Sequence, residues 1–253
     1  MSLDLHGLDR MNALAKELLA DASYPELPNL RPRDAATLIL IDNAGPSPKV
    51  LLGKRHHSHK FLPGKYVFPG GRVEPADARV PTARPLGRPA EQRLLRGLKR
   101  PSPVKARALA LAAVRETYEE TGLLLGAPAS DGLAALAGPW AAFAQAKILP
   151  DLARIHFVAR AITPPRRPKR FDTRFFAADT GAIACRVDGM IGPDAELVEL
   201  VWMPIREARH LDLPAITAVV LEELETRIAA GLARDLPVPF YQMIHRHFVR
   251  HLL

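Results

Sequence analysis

Residues Arg115–Gly122 read RETYEETG, three glutamates placed just ahead of a glycine that looks like a helix stop. The C-terminal end of a helix carries partial negative charge, so each acid there costs roughly 0.3–1 kcal/mol. Like charges four residues apart cost a few tenths more. On a helix Glu116, Glu119 and Glu120 fall at i, i+3 and i+4 and share one face. Three carboxylates on one rigid element make a hard-oxygen site suited to Mg²⁺ or Mn²⁺. The competing reading is a solvated acidic face with Arg115 paired to Glu119. That pairing runs in the less favourable direction on a helix and leaves two carboxylates without a reason.

The helix itself is legible. Ser102 is an N-cap residue, Pro103 suits the first helical position, and Gly122 suits the stop. Upstream, Ala35–Asp42 (AATLILID) and the run KVLLGKR read as strands, and KYVFPGG as a short strand ending in a Pro-Gly-Gly turn. Downstream, DGLAALAGPWAAFAQAKI reads as helical. RIHFVARAIT, RFDTRFFAA and AELVELVWM read as strands, and PAITAVVLEELETRIAAG as a closing helix. Strands, a mid-chain helix, more strands and a last helix give an α/β fold, a mixed sheet between helical layers. Residues 1–32 are expected to form an N-terminal helix and linker, and 33–253 the main domain.

Composition narrows the class. The chain has 253 residues, 48% of them hydrophobic, and one cysteine, Cys185. A lone cysteine forms no internal disulfide and no zinc cluster, which fits a reducing compartment. No basic-then-apolar leader and no membrane-length apolar run is read, so a cytoplasmic protein is expected, with no membrane partner. The net charge is +8. Residues 78–107 hold nine Lys and Arg against Glu91 alone, which accounts for the whole excess. The basic character thus belongs to one segment, and a nucleic-acid partner is not expected.

The FPGG turn ends at Gly71, and Asp77 follows six residues later. With these residues the sequence resembles the Nudix hydrolase family. Its box runs Gly, five residues, Glu, seven residues, Arg-Glu, an aliphatic residue, any residue, Glu-Glu, any residue, Gly, aliphatic. Gly71, Arg115, Glu116, Glu119, Glu120, Gly122 and Leu123 match. Asp77 stands where Glu is usual and Thr117 where an aliphatic residue is usual. The spacer from Asp77 to Arg115 is 37 residues, so residues 78–107 read as a 30-residue insertion, which can be looped out at modest entropic cost if both its ends return to the same place. The resemblance implies a Nudix fold, catalytic roles for Arg115, Glu116, Glu119 and Glu120, and a Mg²⁺ or Mn²⁺ held by the three glutamates and the Gly70 carbonyl.

The segment LLGKRHHSHKFLPGKYVFPGG is also similar to the signature ahead of the box in Nudix coenzyme A diphosphatases. Leu51, Leu52, Arg55, Gly64, Phe68, Pro69, Gly70 and Gly71 are in register. Lys60 replaces an arginine, keeping the charge and losing the bidentate fork. Arg55, Lys60, Gly71 and Arg72 are the expected substrate-binding residues. Arg166, Arg167, Lys169 and Arg170 are a further basic run that either faces phosphates or lies in a solvated loop. Glu196 and Glu199 are candidates for a carboxylate supplied from outside the box. His56, His57 and His59 lack a second ligand cluster and are read as loop residues. The expected reaction is metal-dependent cleavage of a small-molecule nucleoside diphosphate derivative, coenzyme A first, with Glu116 as the first choice of base. ADP-ribose, a dinucleotide or a nucleoside triphosphate is the alternative substrate. A nucleotide-sensing or RNA-binding module is the alternative class, and a homodimer stays open.

Overall fold

A computed structural model describes residues 9, 11–13, 28–58, 62–98, 100–129 and 136–253. The N-terminal helix and linker expected over 1–32 therefore lie largely outside the described residues. Within them, residues 11–13 are helical. Met11 is buried in the core, and the Asn12 side chain accepts the Phe248 N–H at 2.8 Å.

In chain order the strands and helices are β1 (Arg33–Asp42), β2 (Lys49–Arg55), β3 (Tyr66–Val67), β4 (Gly70–Arg72), α1 (Arg88–Leu95), α2 (Pro103–Thr121), β5 (Leu123–Leu125), β6 (Ala127–Pro128), α3 (Ala141–Gln145), β7 (Ile148–Leu149), β8 (His156–Ile162), β9 (Phe171–Asp179), β10 (Ile183–Arg186), β11 (Leu197–Pro204), α4 (Ile205–Ala208), α5 (Ala215–Ala229), β12 (Pro239–Ile244) and β13 (His247–Leu252).

The main sheet runs β11-β2-β1-β9-β8-β12-β13, with β3 added beside β2 and β4 beside β1. It is mixed: β1 and β9 are parallel, as are β8 and β12, while the other pairs are antiparallel. Strand alternation sends successive residues to opposite faces. Ala36, Leu38 and Leu40 of β1 join Leu51 and Phe176 in a core shared with α2, Trp140 and Phe143. Ile39 and Ile41 join Val50, Leu52 and Phe175 in a second core closed by Val219, Val220, Leu221 and Leu224 of α5. The expected α/β sandwich is therefore present, with an apolar layer on each face of the sheet.

The mid-chain helix begins and ends where the sequence places it. Ser102 is extended, as an N-cap must be, although its side chain makes no capping bond. Gly122 adopts φ 75°, and a Cβ there would run into the Val187 carbonyl, so only glycine suits the stop.

Two expectations are corrected. The segment 78–107 is not looped out. Its last residues, from Pro103, already belong to α2, and α1 lies inside it. Val80, Leu86 and Leu94 are buried in the α2-side core. Its charges tie it down: Arg84 pairs with Asp151, Lys105 with Asp34 at 2.8 Å, and Arg93 donates to the Arg234 and Asp235 carbonyls at 2.8 and 2.5 Å. Among the described residues the alanine-rich stretch near Trp140 is helical over a short 3₁₀ turn and α3 and not beyond them; its residues 131–135 lie outside the described residues.

Candidate functional site

Arg115 organises the site. Its Nε donates to Asp77 Oδ1 at 2.8 Å and one Nη to Asp77 Oδ2 at 3.2 Å. The same Nη reaches the Arg72 carbonyl at 2.8 Å, and the other reaches Glu116 Oε1 at 2.9 Å and Glu119 Oε2 at 2.6 Å. A guanidinium has five N–H donors, and all five are used. Arg115 is 2% exposed and Asp77 0% exposed. Burial alone would lower the Arg115 pKa, but the Asp77 hydrogen bond and the charges of Glu116, Asp77 and Glu119 raise it instead. The Arg115–Glu119 pair weighed from the sequence thus forms, as one part of a larger network.

Asp77 does the anchoring expected of the longer glutamate. It accepts from Arg115, from the Trp140 indole N–H at 3.3 Å and from the Glu74 backbone N–H at 2.8 Å. Trp140 had no signal in the sequence; its neighbourhood reads only as an apolar helix.

The FPGG turn lies over the glutamate face of α2. The Gly70 N–H donates to Glu120 Oε2 at 3.3 Å. A Cβ on Gly71 would overlap the Glu116 carboxylate, so this close approach requires glycine. A cleft of about 430 Å³ opens beside them. It is lined by Gly70, Gly71, Arg72, Glu116, Glu120, Arg55 and Glu196, with Ala35, Thr37, Thr173 and Phe175 from β1 and β9. Pro214, Ile216 and Thr217, at the start of α5, form another part of its wall.

Crowding of acids shows in their protonation. Burial pushes the Glu116 carboxyl up to about 7; Arg115 opposes this, while Glu119 and Glu196 add to it. Glu120 is held well above the usual carboxylate range by burial, then by Glu196 and Glu116. The cluster therefore carries more negative charge than its surroundings neutralise, and hard oxygen donors are what Mg²⁺ or Mn²⁺ accepts. The donor chemistry fits such a cation. The side chains are held on Arg115 and Gly70 rather than gathered as a cage: among the described residues no three His, Cys, Asp or Glu side chains converge into a metal-holding group.

The remaining expected residues divide. Arg55 and Glu196 both line the cleft and form an ion pair at 2.8 Å. Glu199 is not among the cleft residues; the Tyr66 hydroxyl approaches it at 3.5 Å. Lys169 lines the cleft, while Arg170 is spent on the Asn29 side chain and the Leu30 and Thr163 carbonyls. Lys60 and His59 lie outside the described residues. His56 sits in a turn, its Nδ1 2.6 Å from the Ser58 hydroxyl. Cys185 is half-buried on β10, consistent with an incidental thiol.

No family model matches the chain. A curated relative, acyl-coenzyme A diphosphatase NUDT19 of Gallus gallus, is 33% identical over a match covering 38% of this chain and 33% of its own length. This chain thus spans about a third of that relative. The crystal structure of a NUDIX hydrolase from Alicyclobacillus acidocaldarius superposes with a TM-score of 0.59 at 29% identity, covering 79% of this chain and 96% of that one. The NUDIX domain of Shewanella oneidensis NrtR, crystallised with ADP ribose, has a TM-score of 0.45 at 14% identity, covering 84% and 97%. Among the described residues no helix is long and apolar enough to cross a membrane. With the box residues assembled around Arg115 and this fold likeness, the chain has the fold of the Nudix hydrolases and resembles them in its box residues.

Proposed function

We propose that the chain hydrolyses the diphosphate of a nucleotide joined to another group, with Mg²⁺ or Mn²⁺, and that coenzyme A or an acyl derivative is the substrate. The observation that carries this is the meeting of Glu116, Glu120 and Glu196 with Gly70, Gly71 and Arg55 at one cleft. The likeness to an acyl-coenzyme A diphosphatase favours the substrate. The single cysteine fits the reducing cytoplasm as its compartment.

Glu116, Glu119, Glu120 and the Gly70 carbonyl are the residues that would hold the cation. Bound there, it neutralises phosphate oxygens and makes a water acidic. The chain's own residues supply the rest. Glu116 faces the cleft beside the residues that would hold the cation, where its carboxylate can take a proton from water. Glu196 is the reserve for that role, since it faces the same cleft. Arg55, Arg72 and Lys169 present cations to the diphosphate oxygens. Arg115, fully engaged by protein acceptors, is a positioning residue: it sets the rotamers of Glu116 and Glu119 and fixes the turn that carries Arg72.

The test is a substrate panel with each metal: coenzyme A, an acyl-coenzyme A, ADP-ribose, a dinucleoside polyphosphate and nucleoside triphosphates. Mass spectrometry should show 4′-phosphopantetheine, or its acyl form, and 3′,5′-ADP. Intact coenzyme A beside rapid cleavage of ADP-ribose would reverse the substrate assignment, and no turnover of any compound would remove the hydrolase.

A further inference from the structure

A second, larger groove of about 1290 Å³ adjoins the catalytic cleft. The two share Arg72, Lys169 and Phe171 as wall residues and so are contiguous. The outer groove is further lined by Arg31, Arg33, Asp34, Glu74 and Arg170. Five cations and two acids thus face it. Asp34 is already neutralised, by Lys105 at 2.8 Å and Arg174 at 2.7 Å. Among the described residues the guanidiniums of Arg31, Arg33 and Arg72 pair with no carboxylate, and all three are exposed. Three arginines directed at one concavity, with so little protein charge to satisfy them, suit an anion.

Strand register places Arg33 and Arg72, and Arg31 stands two residues ahead of β1. Arg33, Ala35 and Thr37 of β1 lie beside Phe171, Thr173 and Phe175 of β9 in parallel pairing. Ala35, Thr37, Thr173 and Phe175 line the catalytic cleft, and Arg33 with Phe171 continues the same strip outward. On β4, Arg72 is two residues beyond Gly70 and pairs with Ala35, two residues before which stands Arg33. At the rise of a strand these steps are roughly 7 Å each. An anionic group meeting Arg72 and Arg33 is therefore roughly 7–14 Å from one held at Gly70.

We propose that this groove is a phosphomonoester subsite, which takes a phosphate carried on the nucleotide's ribose, separate from the diphosphate that is cut. Arg31 and Arg33 are its specificity-determining residues. The inference rests on the diphosphate-hydrolase reading of the neighbouring cleft. It explains how a substrate bearing a third phosphate is preferred over one that lacks it, since a charge-assisted bidentate contact is available only to the former.

Coenzyme A and dephospho-coenzyme A differ by that one phosphate and make the test. Wild-type kcat/KM with Mg²⁺ should favour coenzyme A by about tenfold or more, through KM. In R31Q/R33Q the ratio should fall toward one. An unchanged ratio, or no preference in the wild type, overturns the subsite. If the wild type cleaves neither compound, the hydrolase reading falls by itself, and calorimetric titration decides the subsite. Tighter binding of 3′,5′-ADP than of 5′-AMP, lost in R31Q/R33Q, supports it; equal binding overturns it. Salt-steep binding of single-stranded RNA with no monoester preference would also overturn it, in favour of a backbone-phosphate surface.

Discussion

Arg115 donates to both carboxylate oxygens of Asp77, 38 positions earlier in the chain, and neither side chain is reached by solvent to any useful extent. Removing Asp77 leaves Glu116 and Glu119 on the guanidinium but strips its buried partner and unpairs the Trp140 and Glu74 N–H groups, and breaking a buried pair costs about 3–5 kcal/mol. Asp77→Ala should therefore lower the urea midpoint sharply at an unchanged slope. A midpoint within error of the wild type would mean that the pair does not hold the turn in place.

Gly71→Ala tests the turn from the other side. The new methyl must displace either the turn or the Glu116 carboxylate. Misplacement by about 1 Å is enough to cost roughly 100-fold in rate. Turnover should drop by about that factor while the thermal midpoint moves by only a few degrees. Full activity would show that Glu116 does not have to lie against this turn.

The glutamate cluster should make stability depend on pH and, through the proposed cation, on divalent metal. The Glu116 and Glu120 carboxyls are raised in the folded state, so that state binds more protons than the unfolded chain above the ordinary value of 4.5. Stability is then lost as pH rises through the folded values. For Glu116, rising to about 7, the loss is about 3 kcal/mol at most. In chelator, urea midpoints should fall from pH 5 to pH 8, and millimolar Mg²⁺ should reverse the fall. Glu120→Gln should flatten the profile in chelator and abolish turnover. A wild-type profile that Mg²⁺ leaves unchanged would remove the metal from this cluster.

His156 acts on the acid side with the opposite sign. Burial lowers its pKa, Arg234 and Arg227 lower it further, and a hydrogen bond to Leu232 opposes them. The unfolded chain then binds the proton more readily, so this residue's contribution is lost as pH falls below its ordinary 6.5. His156→Gln should reduce the loss of stability between about pH 6.5 and 5. An identical slope in the variant would mean the proton is taken up elsewhere.

The inserted segment should behave as core. Leu94 is 2% exposed and packs with the α2-side cluster. Leu94→Ala should cost about 2–5 kcal/mol, as for other buried leucines. A change below about 0.5 kcal/mol, the size expected for a surface position, would return the segment to a loop.

The box residues were legible because their chemistry conflicts with local helix electrostatics, and such a conflict needs a partner. The helix bounds followed from Pro103 and Gly122, which act locally. Strands β1, β2, β8, β9 and β11 followed from β-branched and aromatic runs. The C-terminal hairpin did not, since its turn uses His245 and Arg246 at positive φ in place of the usual Asn-Gly signal. Nor did the packing of residues 78–107: Val80, Leu86 and Leu94 are too widely spaced to form a periodic pattern, and arginines and prolines dominate between them. Choosing between Glu196 and Glu199 needed the register, because β11 shifts by one residue between Leu197 and Glu199 where it pairs with β2. A shift of that kind turns side chains to the other face, and composition does not record it.

The parallel pairing of β1 with β9 has a kinetic consequence. About half the chain, including α1, α2 and the whole glutamate face, lies between these two neighbouring strands. Closing so long a segment carries an entropic cost before any contact repays it, and non-local parallel pairing is slow. The strip of β1 and β9 that floors the cleft exists only after that closure. Recovery of catalysis after dilution from denaturant should therefore lag behind helix formation, and a nascent chain has no working cleft until β9 has been synthesised.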